Sequence, residues 1–552
     1  MKRSQVYLLN NQWQKLITLS KQQGESVAEL IRTAIDKVYT KENEVDFEFA
    51  LRKGFGIWKS LLRRGRTLLR SRNIYIKIFF HSIGKKMAII EDFDKKIGEL
   101  KLQYRKVNRP IVFNFRDFCS VWKWAKRSDV FTHHMHKYPA KLIPYIPIFF
   151  LSSKICSEND IVMDPFAGSG TVLLESIAHP YNKRNCVGIE INPLARLIAK
   201  VKTTPLDHKK LQRKKDKLFL NLKRNDITPI IPEYDNLNLW FSKNAQNKLG
   251  KLRACIEELG NDDYKDFFLA CFSSLIRKVS LADPNIPPPV VLKPDKYKEG
   301  SDRHDEMKDF LERNKTPKVK ALFKQCVDDN ERRVKSLSDI EDISKGKVKA
   351  RIVWDDSRNP RVGRLAAKGN IKKKGARAFK ENSIGLIITS PPYITAQKYV
   401  RTTKLELLWL GLADSKSLIE LDKETIGSER VKVGEKLVTT NIKAIDDLCN
   451  KITDISKERA IMVNRYFNDM VLVMQNSYKI LKKDRVMILI VGNNKVCGYD
   501  VNTHNMLAEI GESVGFRREM VIKDRIRSRG MITRRHKNGG LIEDEYIVML
   551  RK

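Results

Sequence analysis

The chain has 552 residues, with 106 Lys and Arg against 66 Asp and Glu and a formal net charge of +40. That length accommodates about two or three domains, and the cationic excess suits a polyanion such as nucleic acid better than a small acidic substrate, unless it only solvates the surface. The eight cysteines form no Cys-x-x-Cys pair and no histidines cluster at ligand spacing, so neither a disulfide framework nor a zinc site is indicated, which suits a reducing cytoplasm. With no signal segment and no apolar run of membrane-spanning length, the expected setting is cytoplasmic, with no membrane partner.

The first stretch, Lys2-Arg3-Ser4-Gln5-Val6-Tyr7-Leu8, alternates apolar and polar residues and predicts a half-buried strand. Residues 11–23 place Trp13, Leu16, Ile17 and Leu19 on one helical stripe and stop at Gly24. Ser26 can cap a second helix, in which Val27, Leu30, Ile31, Ala34, Ile35 and Val38 recur at helical spacing. This order resembles the ribbon-helix-helix DNA-binding family, whose strands pair between two chains and enter the major groove. The resemblance implies that residues 1–45 bind DNA and form a homodimer through the strand, with Arg3, Gln5 and Tyr7 facing the groove. The plainer reading is a packing appendage that touches no DNA.

Residues 46–130 read as a linker or helical region. Phe47 to Trp58 looks helical, and the basic run from Arg63 to Arg72 flanks the apolar stretch Ile74 to Phe80.

A catalytic domain is expected from residue 131, its first part covering 131–205. Ile161-Val162-Met163 leads into Asp164-Pro165-Phe166-Ala167-Gly168-Ser169-Gly170-Thr171 and then Val172 to Ala178, a strand–turn–helix whose small residues bring backbone close to a ligand. Taken alone, a glycine pair after a strand is as often a tight turn. Cys186 to Ile189 is a second apolar strand ending in Glu190, the position from which a carboxylate accepts ribose hydroxyls in doubly wound folds. The turn lacks the third glycine of dinucleotide sites and the Lys-Ser/Thr of triphosphate sites.

Residues 206–345 interrupt the strand alternation with helical patterns such as Lys251 to Leu259 and Tyr264 to Lys278. So long a segment far exceeds a crossover and predicts an inserted helical subdomain, a candidate for target recognition or a brace on the cofactor domain. The second catalytic part, 346–552, resumes with the strand Val348 to Trp354, ending in Asp355-Asp356-Ser357. Then come the strand Ile384 to Thr389 with Ser390-Pro391-Pro392-Tyr393, the helix Val463 to Leu481, the strand Val486 to Val491, and a terminal hairpin from Phe516 to Ile526 and Tyr546 to Leu550. The hairpin loop carries Arg525, Arg527, Arg529, Arg534, Arg535, His536 and Lys537, either solvated or set to hold the phosphates around a reacting base.

Asp-Pro-Phe-Ala-Gly-Ser-Gly-Thr, then Gly-Ile-Glu, then Ser-Pro-Pro-Tyr together resemble the amino-methyltransferases that use S-adenosylmethionine. Ser-Pro-Pro-Tyr is similar to the form typical of site-specific DNA cytosine-N4 enzymes, whereas adenine-N6 enzymes more often carry Asp or Asn at the first position. The segment from His133 to Pro144 is similar to the one that closes over the methionine end of the cofactor. The resemblance implies an α/β, doubly wound Rossmann-like methyltransferase sheet with a C-terminal antiparallel hairpin, a mainly helical insertion and the small N-terminal module. It assigns cofactor contacts to Tyr138, Lys141, Asp164, Phe166, Gly168, Gly170, Thr171, Glu190, Asp355 and Asp356, one of the last two receiving the adenine amine. It assigns catalysis to Ser390, Pro391, Pro392 and Tyr393, double-stranded DNA as substrate, and admits a cognate restriction endonuclease as partner.

The chemistry suits these residue types. An exocyclic amine is a poor nucleophile because its lone pair is delocalised into the ring, so the Ser390 hydroxyl and the Pro391 carbonyl are suited to accept its N–H bonds, while Tyr393 offers a face to a flipped base. The chain has no Pro-Cys dipeptide, which excludes the thiolate mechanism of carbon-5 cytosine enzymes. Adenine-N6 methylation, RNA base methylation and a ribbon-helix-helix repressor with an ancillary methyltransferase body remain the alternatives. One departure from the family is that the insertion comes before the third strand rather than after it.

Overall fold

The computed structural model describes residues 72–122, 124–125, 131–139, 141–284, 286, 288–353, 356–360, 379–394, 398–526 and 542–552, with side chains from Met87 onward. The N-terminal strand and helices expected over 1–45 lie outside the described residues. The chain divides after Lys85, and the sheet belongs to the unit Lys86–Lys552.

Short apolar runs bounded by turn residues make the strands. These are β1 (Ile111–Val112), β2 (Ile161–Asp164), β3 (Cys186–Ile189), β4 (Ala350–Val353), β5 (Ile384–Thr389), β6 (Leu481–Gly492), β7 (Asn494–Val496), β8 (Tyr499–Val501), β9 (Arg517–Arg525) and β10 (Asp544–Arg551). Eight of them form one sheet in the order β1-β9-β10-β6-β5-β2-β3-β4, while β7 and β8 pair separately. Only β10 runs antiparallel to its neighbours in the large sheet. The pairs β2–β3, β2–β5, β3–β4, β5–β6 and β1–β9 are parallel.

Strands buried on both faces need apolar residues at successive positions, and β6 shows the result. Val486, Ile488 and Ile490 face one core with Phe149, Leu173 and Ile177. Met487, Leu489 and Val491 face the other, with Phe467, Met470 and Leu507. The expected doubly wound sheet and terminal hairpin are both present, Ile547 facing Ile522 across β9 and β10. Helix Lys457–Ile480 begins at a Ser456 cap that accepts from Arg459 N, six residues before the start expected from its apolar stripe.

Part of the segment read as linker belongs to this unit. From Met87 on, helix Arg72–Val107 buries Ile89, Phe93, Ile97 and Leu100, a helical spacing, in the core shared with Phe149 and Val162.

Between β3 and β4 the chain is helical, as expected for the insertion: His208–Asn221, Lys243–Glu257, Asp263–Ile276, Asp302–Lys315 and Val319–Ser338. Asp207, Ser242, Asp262 and Ser301 each accept backbone N–H groups at the start of a helix, so local capping punctuates the segment. Its core is continuous with catalytic-part elements, since Phe267, Phe272 and Val327 pack with Leu194 and Ile198 and with Leu405, Leu407 and Trp409. It is therefore braced on the helices that follow β3 and β5.

Arg184, 1% exposed, ties down the approach to β3. Its guanidinium donates to the carbonyls of Leu151, Cys156, Ser157 and Asn182 at 2.7–3.1 Å. Arg184→Ala leaves four acceptors without their donor, and the expected loss is about 3 kcal/mol or more. Urea denaturation measures it, and an unchanged midpoint contradicts the assignment.

Candidate active site

Strand order reverses between β2 and β5, so their carboxyl ends open a crevice, the position at which doubly wound sheets bind ligands. The glycine turn leaves β2 on one side and Ser390-Pro391-Pro392-Tyr393 leaves β5 on the other. The resulting cleft, about 940 Å³ with its open mouth included, is lined by Tyr138, Lys141, Asp164, Phe166, Gly168, Thr171, Glu190, Asp356, Ser390 and Pro392 among others. These residues, from five separate stretches of sequence, thus meet in one cleft.

The turn and the catalytic strand are bonded to each other. Thr389 Oγ1 donates to Asp164 Oδ1 at 2.7 Å, and Phe166 N donates to the same oxygen at 3.0 Å. Ser357, following β4, donates through its hydroxyl to the Pro165 carbonyl, which fixes the third side of the cleft. Burial pushes the Asp164 carboxyl up to about 7, opposed by the bonds from Thr389 and Phe166 N and aided by the nearby Glu190 charge. An acid whose folded pKa exceeds its unfolded value makes the protein lose stability as pH rises between the two. Asp164→Asn keeps an oxygen for Thr389, so its stability relative to wild type is expected to improve from about pH 4 to about pH 7. Thermal melts across that range test this, and a constant difference rejects it.

Glu190 closes β3 and accepts from Gly168 N at 2.8 Å and Asn192 N at 2.7 Å, so it shapes the turn as well as lining the cleft. Burial raises its carboxyl above the usual range, against the pull of those backbone bonds. Asn192 caps helix Pro193–Thr203 through its oxygen, while its Nδ2 is buried without a hydrogen-bond partner at the cleft wall. An unpartnered donor beside a carboxylate suits the hydroxyls of a ribose. At Gly168, φ is +50° and an added Cβ would meet only the Phe166 carbonyl at 3.9 Å, so the turn presents open space to a ligand. These residues fit an adenosyl group.

Some expected site residues stand elsewhere. Gly170, at φ +77°, starts helix Thr171–Ala178, and a Cβ there would lie 2.9 Å from Ala199 Cβ; its place is against the neighbouring helix rather than in the cleft. Asp356 reaches the cleft wall, but its carboxylate accepts Arg358 N, Nε and Nη2 at 2.7–3.0 Å. Those bonds hold the carboxylate in place at the cleft wall and take up most of its acceptor sites. Asp355 lies outside the described residues. Pro391 and Tyr393 flank the lining residue Pro392 in the chain. Lys141 donates to the His133 carbonyl at 2.7 Å, folding that segment back on itself beside Tyr138. Of the basic hairpin loop, Arg525 is exposed at the carboxyl end of β9, while Arg527, Arg534 and Arg535, like Arg3, Gln5 and Tyr7, lie outside the described residues.

The motifs did not announce Asn192, Ser357 and Tyr399, which line the cleft, or Thr389, which braces it. The Asn192-Pro193 pair carried a signal, since a side-chain cap followed by proline marks a helix start. Among the described residues no group of His, Cys, Asp and Glu can hold a metal ion, and no helix is long and apolar enough to cross a membrane.

A cleft at the switch point of a doubly wound sheet, with a glycine turn on one strand and an acid ending the next, suits a cofactor that carries an adenosyl group. Residues 15–200 match the model of a family described as DNA methylase. The chain is similar to Type II methyltransferase M.MvaI of Kocuria varians, 26% identical over 401 residues that span 69% of this chain and 80% of that protein. It is similar to Type II methyltransferase M.MjaII of Methanocaldococcus jannaschii, 27% identical over 218 residues, 37% of each chain. It is also similar to Type II methyltransferase M.AvaI of a Nostoc species, 26% identical over 161 residues, covering 26% of this chain and 33% of that one. These likenesses support a DNA amino-methyltransferase that takes S-adenosylmethionine as methyl donor.

Proposed function

We propose that the chain methylates the exocyclic N4 amine of cytosine at specific sites in double-stranded DNA. The observation that carries the reading is that Ser390 and Gly168 line one cleft, so an amine held at the first lies beside a donor seated at the second. S-adenosylmethionine, when bound, supplies an electrophilic methyl group on a sulfonium. The chain's own part is to hold and orient the amine. Ser390 Oγ and the Pro391 carbonyl accept its N–H bonds, which favours a lone pair localised toward the methyl, and the prolines, lacking donors, keep those acceptors aimed. The cleft lies at the ends of strands, where a stacked base cannot reach, so the target base must leave the duplex, with the Tyr393 ring as the face it meets.

Serine rather than Asp or Asn at position 390 supports cytosine over adenine. The Type II names of the relatives support site specificity and a cognate restriction endonuclease as partner. Residues 206–345 are proposed to contribute to target recognition, and the N-terminal module to DNA binding and dimerisation.

DNA treated with the purified protein and S-adenosylmethionine, then digested to nucleosides, is expected to contain N4-methylcytosine by mass spectrometry. N6-methyladenine in its place overturns the choice of base, and methylated RNA with unmodified DNA overturns the choice of substrate.

A further inference from the structure

We propose that Glu545, at the start of β10, is the terminal acceptor of the proton that the target amine sheds, reached through Ser390 and Tyr393. The proposal rests on the reading that Ser390 grips that amine. The Tyr393 hydroxyl donates to Glu545 Oε1 at 3.1 Å, and the Ser390 side chain hydrogen-bonds to the same phenol. Each hydroxyl has one proton to give. A carboxylate at the end of the row takes the bond from Tyr393, the phenol oxygen then accepts from Ser390, and Ser390 turns only lone pairs toward the cleft. An amine N–H needs that polarity.

The framework holds the row in place. Gly492 on β6 pairs with Glu545 on β10, and a Cβ there would meet Ile542 Cγ2 at 2.6 Å and Tyr393 Cε2 at 3.1 Å, so the bare backbone leaves room for both side chains. Asn494 Nδ2 donates to the Ile394 carbonyl at 2.6 Å, anchoring the residue after Tyr393. The groups facing Glu545 are Tyr393 from the catalytic loop and Asp524, its partner on β9, while β6 offers only Gly492. Burial pushes the Glu545 carboxyl up to about 7, with the Tyr393 bond opposing and the Asp524 charge aiding, which suits a group that accepts a proton and returns it to neutral solvent.

The step balances. As the N–C bond to the methyl group forms and the donor's S–C bond breaks, the amine nitrogen is left with one proton in excess and a positive charge. That proton passes to Ser390 Oγ, the Ser390 proton to Tyr393 Oη, and the Tyr393 proton to Glu545. Both hydroxyls end neutral, and Glu545 ends as a carboxylic acid that releases its proton to water before the next turnover.

The test compares single-turnover methylation against pH in wild type, Glu545→Gln, Tyr393→Phe and Ser390→Ala, with cofactor affinity measured for each. The wild-type rate is expected to rise through about pH 7. Glu545→Gln keeps an oxygen to accept from Tyr393 yet cannot take a proton, so its rate is expected to fall about tenfold or more and lose the pH step while cofactor affinity holds. Tyr393→Phe is expected to lose the step too. Infrared difference spectra of the protein without cofactor or DNA are expected to show a carboxyl titrating near pH 7 that Glu545→Gln lacks. A wild-type rate and profile in Glu545→Gln, with Ser390→Ala inactive, overturns the relay and leaves the amine grip standing. Full activity in Ser390→Ala overturns both. If Glu545→Gln also loses cofactor binding, Glu545→Asp must retain a pH step, and a flat profile there rejects the relay.

Discussion

Ser390→Ala is expected to lower kcat by about 100-fold or more while leaving the affinity for S-adenosylmethionine unchanged. The hydroxyl sits at the end of β5, on the far side of the cleft from the glycine turn, so its loss removes an acceptor for the amine and leaves the adenosyl seat intact. Its neighbour Thr389 keeps its bond to Asp164, so the two strand ends stay joined and the protein folds as before. An interaction made mainly as the lone pair localises lowers kcat and kcat/KM together, without raising the Kd of the cofactor. Rapid-quench methylation with calorimetric titration separates these quantities. An equal loss of cofactor affinity would show that Ser390 belongs to the cofactor seat.

Gly168→Val is expected to act in the opposite way, weakening cofactor binding about 100-fold or more while the protein remains folded. The positive φ of +50° costs a β-branched residue about 1–2 kcal/mol, visible as a modest fall in Tm. The side chain itself meets open cleft, since only the Phe166 carbonyl lies within 4 Å of an added Cβ. It therefore fills the ligand's space and displaces no neighbouring protein group. Gly170→Ala makes the informative contrast: its Cβ strikes Ala199, so it is expected to cost stability by parting the helices Thr171–Ala178 and Pro193–Thr203. Near-normal cofactor affinity in Gly168→Val would mean that the ligand does not approach the turn.

The strands that build the cleft were legible because they are covered on both faces. Ile161-Val162-Met163 and Ile384 to Thr389 stand out as unbroken apolar runs, and small or polar residues mark where each ends. β1 is two residues long and leaves no periodicity to detect. The buried row Ile89, Phe93, Ile97 and Leu100 was readable in principle, but the basic run before it drew the reading toward a solvated linker. Pairings between distant residues left no trace in spacing. Nothing near Asp356 announces that Arg358 and Asp469 hold one another, with Arg358 turned onto the Asp356 carboxylate. Nothing near Tyr393 announces Glu545. Motifs reveal which side chains a site contains, and the register of the sheet decides which of them face one another.

The bond from Thr389 to Asp164 joins positions 225 apart in the chain, and the helical insertion lies between them. A break in the short link between helices Asp302–Lys315 and Val319–Ser338 would leave the cofactor turn on one polypeptide and the serine on the other. Each fragment alone would be inert, and activity would return only when the two halves meet and β2 pairs with β5. The architecture is thus a natural starting point for a conditional DNA writer whose marks record the encounter of two tethered proteins.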